Sequence, residues 1–240
     1  MTQYMLLLLE DEVAHAALPA RAVAELIEKR AAFEAELRRT GVLKDSGQLR
    51  PSKEGRRVRR ARATPAPQLD ETLGPFAEEG HTLGGYLWIE APTADAAAKI
   101  AAAIPTLPAD EVDVRPIMKG SVPEGTEKPG KIFACAVLGN AATEDAWIAV
   151  MDRIDADTKD HFPREAMLGG VRLEAPRTGR RVKASGERRA TFDGPFLESK
   201  EVIGGVFFLR MASIDDAVRW AAETRFIEHG ALEIRERWRT

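Results

Sequence analysis

Cysteine is almost absent from this chain, since Cys135 is the single one among 240 residues. A lone cysteine cannot form an intrachain disulfide, which excludes the disulfide-stapled secreted class and favours a reducing compartment. Long apolar runs are lacking too. The early run at residues 5–9 is far too short to span a bilayer and leads directly into Glu10, Asp11 and Glu12, unlike a signal peptide. We therefore expect a soluble, cytoplasmic protein with no membrane partner.

An excess of positive charge is also missing. The 35 Lys and Arg face 38 Asp and Glu, for a net charge of −3, so the whole chain has no attraction for nucleic acid, and we predict no nucleic-acid partner. The histidines stand apart, without a His-x-x-x-His pair or a cysteine cluster, and we predict no metal site. No glycine-rich phosphate loop follows a strand and no serine or cysteine nucleophile has an adjacent base, so we predict no cofactor.

What the chain does contain is an internal repeat. Gly74-Pro75-Phe76 recurs as Gly194-Pro195-Phe196, and Gly84-Gly85 recurs as Gly204-Gly205, with the same spacing of 120 residues in a chain of 240. A constant spacing over such a stretch indicates one module written twice. We predict copies at residues 1–118 and 131–240, joined by a linker at residues 119–130 that is rich in glycine and proline.

Apolar periodicity predicts the same succession of elements in both copies. The first copy has strands at residues 4–9, 43–50, 57–62, 83–90 and 112–118, helices at 19–39 and 93–104, and a loop at 64–76. The second has strands at residues 131–138, 206–211 and 232–237, helices at 144–161 and 214–224, and a hairpin formed by 171–174 and 181–184. This is the β-α-β-β-α-β order of ferredoxin-like modules, with an extra hairpin before the Gly-Pro-Phe loop. We expect an α+β fold in which two tandem ferredoxin-like repeats form an intrachain dimeric α+β barrel.

The same motifs carry a family resemblance. The chain resembles the YCII-related family, in particular the branch named after its Asp-Gly-Pro-Phe signature, over nearly all of both copies. The matching pieces are Asp193-Gly194-Pro195-Phe196, Glu198, Lys200-Glu201, Gly204-Gly205, Tyr4-Met5-Leu6-Leu7, Gly47-Gln48-Leu49-Arg50-Pro51, Val58-Arg59, Gly74-Pro75-Phe76, Gly84-Gly85-Tyr86 and Val114-Arg115-Pro116. The resemblance implies a dimeric ferredoxin-like barrel. It also implies either small-molecule chemistry at a cleft with a histidine and an aspartate, or an association with extracytoplasmic-function sigma factors.

The two copies depart from the family pattern in different ways. Leu73 replaces the signature aspartate in the first copy, and the proline at Pro116 has no counterpart in the second. The family histidine has a candidate in His161, eight residues before Gly169, whereas the matching position in the first copy is Phe33. We therefore do not expect two equivalent active sites.

Asp193 and His161 are the catalytic candidates. His161 has an imidazole whose ordinary pKa suits acid–base work, but a histidine near a helix end can equally serve as a cap or lie on the surface. Asp193 can orient a base or a polar ligand at a pocket mouth, or simply accept backbone hydrogen bonds in its turn. Glu198 and Lys200 follow in the same loop as ligand-binding candidates.

Arginine supplies the remaining candidates. Arg115 and Arg235 alternate with apolar residues on the closing strands, and we predict that they clamp an anion. The arginine runs at residues 56–62 and 177–189 can be solvated hairpin faces paired with acids, anion sites or nucleic-acid contacts, and the first interpretation is favoured because no groove-reading motif accompanies them.

Two functional hypotheses follow. The first is a protein that binds a small anionic or aromatic molecule, with one degenerate enzymatic site. The alternative is a non-enzymatic regulatory or interaction module, for example in sigma-factor-dependent transcription. Pairing of the chain into a further homo-oligomer is compatible with both.

Overall fold

The computed structural model describes residues 1–60, 69–76, 81–140, 148–149, 151–153, 166–185, 188–194, 201–224, 227 and 230–238. The chain divides into two compact units that interleave along the sequence. Unit 1 comprises Met1–Gln48, Ala77–Ile117 and Pro176–Phe196, and unit 2 comprises Leu49–Phe76, Met118–Ala175 and Leu197–Thr240. Each unit therefore takes most of its residues from one copy of the repeat and one segment from the other.

Unit 1 is built on antiparallel strands. They are β1 (Thr2–Glu10), β2 (Leu43–Gln48), β5 (Thr82–Ala91), β6 (Glu111–Ser121, in unit 1 as far as Ile117), β9 (Arg180–Ser185) and β10 (Arg188–Asp193). Their order in the sheet is β2-β5-β1-β6-β9-β10. The helices described in this unit are α1 (Glu12–Ala16), α2 (Ala20–Arg39) and α3 (Ala94–Ala103), with a 3-10 turn at Pro176–Thr178.

Unit 2 repeats the plan. Its strands are β3 (Arg56–Arg60), β4 (Leu69–Leu73), β7 (Lys131–Asn140), β8 (Met167–Leu173), β11 (Glu201–Met211) and β12 (Ala231–Glu236), in the order β8-β11-β7-β12-β3-β4. Unit 2 also contains helix α4 (Ile214–Ala222), a 3-10 turn at Ser52–Glu54 and helical residues at 148–149 and 151–153. The α+β class with antiparallel pairing is therefore confirmed.

Local sequence explains several of these elements. Strand β1 is apolar from Tyr4 to Leu9 and its Met5, Leu6 and Leu7 are buried, as expected of a central strand. Helix α3 begins where the Thr93 hydroxyl accepts a hydrogen bond from Ala96 N, and α4 begins in the same way at Ser213. None of the helices described is long and apolar enough to cross a lipid bilayer.

The segments exchanged between the copies are hairpins, and each is part of the core of the unit that it joins. Val182 of the β9–β10 hairpin is fully buried in the core of unit 1, and Val58 of the β3–β4 hairpin is fully buried in the core of unit 2. Neighbouring arginines form internal ion pairs, Arg181 with Asp113 in unit 1 and Arg57 with Glu233 in unit 2. Arg181 is only 8% exposed, so the expectation of a solvated face is wrong at this position, although the pairing with an acid is confirmed.

Strand pairing and strand bounds also correct three sequence-based expectations. Residues 171–174 and 181–184 do not form a hairpin, because β8 pairs with β11 whereas β9 pairs with β10 and β6. The expected loop at residues 64–76 contains β4, which the polar sequence of Leu69–Leu73 conceals. Strand β6 runs three residues into the expected linker, to Ser121. Most of the helix predicted at residues 144–161 lies outside the described residues.

Candidate functional site

Unit 1 contains a group of buried and half-buried polar residues at one end of its central strands. We call this group the polar cluster, and its members are Glu10, His15, Arg30, Gln48, Thr82, Asp110 and Arg189. Two of them anchor it: Glu10 ends β1 and is 6% exposed, and Asp110 immediately precedes the adjacent strand β6 and is 1% exposed. Thr82 lies directly opposite Glu10 in the register of β1 and β5 and is also buried.

Asp110 is the centre of the hydrogen bonding. Its carboxylate accepts hydrogen bonds from Leu107 N at 2.8 Å and from Asp11 N at 3.2 Å. The Nε2 atom of His15 lies 3.0 Å from both of its oxygens. Asp11 also caps α1 by accepting from Val13 N and Ala14 N, and this short helix places His15 over the carboxylate.

Arg30 links Glu10 to the rest of the cluster. It lies on α2 between Leu26 and Phe33, so helical spacing directs it to the same side of the helix as those apolar residues. Its Nη1 donates to Glu10 Oε1 at 2.7 Å and to Gln48 Oε1 at 3.0 Å, and its Nε donates to Pro105 O at 2.8 Å. Helix and sheet are therefore joined here by a charged rather than an apolar contact.

Arg189 reaches the cluster from the hairpin of the second copy. It lies on β10, and its Nη2 donates to Leu107 O at 3.0 Å and to the hydroxyl of Thr106. The site in unit 1 is thus assembled from elements of the first copy together with one arginine from the second.

Several donors of the polar cluster have no acceptor. Arg30 Nη2, Arg189 Nη1 and Thr82 Oγ1 are buried and form no hydrogen bond within the described part of the chain. Buried polar groups are nearly always hydrogen-bonded, and an unsatisfied one costs on the order of 1–3 kcal/mol. Three such atoms in one cluster indicate a place where a ligand or ordered water supplies the acceptor.

The first Gly-Gly pair has a specific role at this site. A Cβ at Gly84 would lie 2.0 Å from Glu10 Oε2, so only glycine leaves room for the carboxylate. The register of β1 and β5 shifts at Leu8 and Leu9, opposite this glycine, and the irregularity places Glu10 over the neighbouring strand. Gly84 of this pair therefore accommodates the acid of the cluster.

Hydrogen bonding and burial shift the pKa values of His15 and Asp110. The hydrogen bond to Asp110 raises the pKa of His15, against the opposing effect of partial burial. Burial would raise the pKa of Asp110, but its hydrogen bonds with His15 and Leu107 outweigh this effect and lower it. Burial lowers the pKa of Arg189, a cost that a bound anion would offset. The pair can therefore hold and transfer a proton near neutral pH.

A metal ion fits this arrangement less well than a proton or an anion. Donor atoms of Glu10, His15 and Asp110 all lie within 4.8 Å of one another, which is compatible with cation binding. However, the guanidinium of Arg30 already donates a hydrogen bond to the Glu10 carboxylate, and Arg30 Nη2 lies 3.9 Å from Asp110 Oδ2. A cation would have to compete with this fixed positive charge.

Four positions of the polar cluster have an apolar residue or glycine as their counterpart in unit 2, whereas Gln48 corresponds to the buried Arg172. Strand register equates Glu10 with Gly139, Thr82 with Val202, Asp110 with Gly230, and Arg189 with Leu69. Leu69 packs against the apolar core of unit 2, and a Cβ at Gly230 would lie 2.0 Å from Leu138 O. Because the same strand framework forms in unit 2 without polar groups at these four positions, the fold does not require polar residues there.

The site residues predicted from sequence lie elsewhere. Asp193 ends β10 with its side chain 79% exposed and forms an ion pair with Arg180 at 2.9 Å. Arg115 and Arg235 are each 2% exposed on β6 and β12, and Arg235 donates to Arg50 O at 2.8 Å and to Glu233 at 3.0 Å. His161, Glu198 and Lys200 lie outside the described residues. The structure brings none of the three described candidates into the polar cluster, and their ligand roles stay predictions.

The polar cluster was missed because its members are scattered in sequence. A usable signal existed in the alignment of the copies: Asp110 stands where the second copy has Gly230, at the same 120-residue spacing as the Gly-Pro-Phe motif. When a charged residue in one copy aligns with a glycine in the other, immediately before a buried strand, only one copy needs a polar group at that position. His15 gave no such signal, since the five-residue helix α1 has too few apolar residues for periodicity.

Comparison with known proteins identifies the repeated module. A family model described as the YCII-related domain matches residues 2–121 and again residues 139–239, which together cover most of the chain. No curated protein matches the chain significantly.

Proposed function

Since the chain belongs to the YCII-related family, we propose that it binds one small molecule per chain at the polar cluster of unit 1. In this proposal, the His15–Asp110 pair faces the ligand and can accept or return a proton. One degenerate enzymatic site is the form of activity that this arrangement supports. The second copy of the repeat contributes Arg189 to this site through the hairpin that belongs to unit 1.

One observation carries the proposal. The polar cluster is buried or half-buried and includes donors with no acceptor in the described part of the chain. Gly139, Val202, Gly230 and Leu69 stand in unit 2 where unit 1 has Glu10, Thr82, Asp110 and Arg189. Buried unsatisfied polar groups reduce stability, so a network that the fold does not need is best explained by a ligand. Proton transfer is supported by the 3.0 Å approach of His15 to Asp110.

The experiment is a thermal-shift screen of metabolite acids, phosphates and phenolic compounds on the full chain. A ligand at about 100 times its dissociation constant stabilises the native state by roughly 2.7 kcal/mol, which is a readable shift. We expect a ligand-dependent rise in melting temperature that is lost in Asp110→Asn. The exposed Asp215 provides a control, because Asp215→Asn makes the same chemical change at the start of α4 in unit 2.

Failure to find any stabilising compound, or a shift that persists in Asp110→Asn, would contradict the proposal. The first outcome would favour the alternative of a regulatory or interaction module. Co-purification of a partner at near-physiological salt would then be the direct test of that alternative.

Finer expectations stay predictions within this proposal. They are membership of the Asp-Gly-Pro-Phe branch, closure of the two copies into an intrachain α+β barrel, a cytoplasmic location and further homo-oligomerisation. Small-angle scattering of the full chain against a calculated barrel profile tests the barrel, and light scattering gives the oligomeric state.

A further inference from the structure

Arg30 and Arg189 are anchored to the same short segment of chain. Arg30 Nε donates to Pro105 O at 2.8 Å, and Arg189 Nη2 donates to Leu107 O at 3.0 Å and to the Thr106 hydroxyl. Attachment to consecutive residues holds the two guanidinium groups close together. Each is left with one buried nitrogen that has no hydrogen-bond acceptor among the described residues, Nη2 on Arg30 and Nη1 on Arg189.

The two unsatisfied nitrogens are donors on cationic groups and therefore favour a ligand that supplies acceptor oxygens. Two guanidinium groups face the carboxylates of Glu10 and Asp110, so the group is balanced while His15 is neutral and positive once His15 takes a proton. The unsatisfied guanidinium nitrogens can only donate hydrogen bonds. Carboxylate and phosphate oxygens are acceptors whose geometry matches guanidinium groups.

From this geometry, we infer that one oxyanion group of the ligand, a carboxylate or a phosphate, binds between Arg30 and Arg189. Its oxygens accept hydrogen bonds from Arg30 Nη2 and Arg189 Nη1. This inference rests on the proposed function and narrows its ligand from anionic or aromatic to anionic. It also assigns a role to the second copy, whose β9–β10 hairpin supplies the arginine that completes the site of the first.

The hairpin of the first copy shows that this arginine is not a requirement of the hairpin itself. Leu69 occupies the equivalent position on β4 and packs against the core of unit 2. A leucine is compatible with the same strand pairing, whereas the arginine loses solvation on burial and leaves one nitrogen unsatisfied. An oxyanion between the two arginines would compensate both costs.

The test measures binding of inorganic phosphate and of oxalate to the full chain by isothermal titration calorimetry. We expect saturable binding of at least one of the two probes, at one site per chain. Loss of one charge-assisted hydrogen bond in Arg189→Gln should weaken that binding by about tenfold or more. The control is Arg177→Gln, which removes the same charge from an exposed position of the 3-10 turn at the start of the same segment and should weaken binding by less than about twofold.

Arg30→Gln provides a second variant from a different element, and we expect a similar loss. Circular dichroism of each variant shows that it is folded before titration. The inference is overturned if neither probe binds the wild type, or if Arg189→Gln and Arg30→Gln bind as well as Arg177→Gln does. If the thermal-shift screen nevertheless finds neutral or phenolic ligands that Asp110→Asn loses, the proposed function stands and the oxyanion subsite alone is wrong.

Discussion

His15 and Asp110 form the closest histidine–carboxylate contact at the polar cluster, with Nε2 of the imidazole 3.0 Å from each oxygen of a carboxylate that is 1% exposed. Both come from short connecting segments: His15 lies on α1 directly after β1, and Asp110 lies directly before β6. Because β1 and β6 are antiparallel neighbours, the end of β1 lies beside the start of β6, and the two segments meet there. The contact therefore follows from strand order.

The pKa shifts of this pair predict a pH-dependent stability. The pKa of His15 is raised above its ordinary value of 6.5, so its contribution is fully present below that value and is lost as the pH rises through the folded-state pKa. The pKa of Asp110 is lowered, so its contribution is present above its ordinary value of 3.8 and is lost as the pH falls through the folded-state pKa. We expect the free energy of unfolding to differ most between wild type and His15→Gln near about pH 5.

Urea unfolding at a series of pH values measures that difference. NMR titration provides an independent reading, in which Asp110→Asn lowers the pKa of His15 relative to wild type because burial then acts without the hydrogen bond. A difference that grows with rising pH, or an unchanged His15 pKa in Asp110→Asn, contradicts the assignment.

The buried pair of Arg181 and Asp113 predicts a large loss of stability. Its hydrogen bonds of 2.6 and 3.0 Å are bidentate, and both residues are 8% exposed. Removing one partner of such a pair costs about 3–5 kcal/mol, so Asp113→Ala should lower the free energy of unfolding by that order. The exposed pair of Arg21 and Glu25 is the control, since Glu25→Ala should cost less than about 0.5 kcal/mol.

Replacing both members, as Arg181→Met with Asp113→Leu, should recover much of the loss because the buried guanidinium is then removed together with its bidentate partner, and only the more exposed Glu111 loses a contact, at 3.4 Å. A double variant that is no more stable than Asp113→Ala would argue that the hairpin depends on the ion pair for more than its charge balance.

Replacing Thr82 by valine should raise the stability of the chain and reduce its binding of the ligand. Its hydroxyl is buried without a partner within the described chain, and Val202 stands at the equivalent position of unit 2. Thr82→Val should therefore raise the free energy of unfolding by about 1 kcal/mol in the absence of ligand. Thr93→Val is the contrasting control, because Thr93 caps α3 and its loss should lower stability by about 1 kcal/mol.

Denaturant unfolding of the two variants, without added anions, gives the comparison. A loss of stability in Thr82→Val would mean that the hydroxyl already has a partner in solution, such as ordered water. It would weaken the case that a ligand supplies the missing acceptor.

Alanine substitutions at Gly84 and Gly74 should have different effects, the first on binding and the second on stability. A Cβ at Gly84 would lie 2.0 Å from Glu10 Oε2, the end of a side chain, whereas a Cβ at Gly74 would lie 1.8 Å from the backbone oxygen of Ser52. Gly84→Ala should displace the Glu10 carboxylate and weaken phosphate or oxalate binding, with a smaller effect on stability. Gly74→Ala should lower stability by about 1–3 kcal/mol.

Calorimetric titration and urea unfolding of both variants separate the two effects. The prediction fails if Gly84→Ala binds the probes like wild type, since the cluster would then tolerate a displaced Glu10.

Sequence patterns predicted the elements whose signals are local. The apolar run of β1, the periodicity of α2 and the Thr93 cap of α3 are all features of a few neighbouring residues, and all three elements were confirmed. Strand β4 was missed because four of its five residues are exposed or polar and give no alternating pattern. The β8–β9 hairpin was predicted from closeness in sequence, but each strand has its partners elsewhere.

The sequence by itself determined the repeat and the YCII-related family, because both depend on the identity and spacing of residues along one chain. Only the tertiary structure decided that the hairpins are exchanged between the copies and that Glu10, Arg30, Asp110 and Arg189 meet. Strand partners are selected by register and by burial against distant segments, which no local pattern encodes. The polar cluster exists because that pairing brings charges from four separate segments together at one end of the central strands of unit 1.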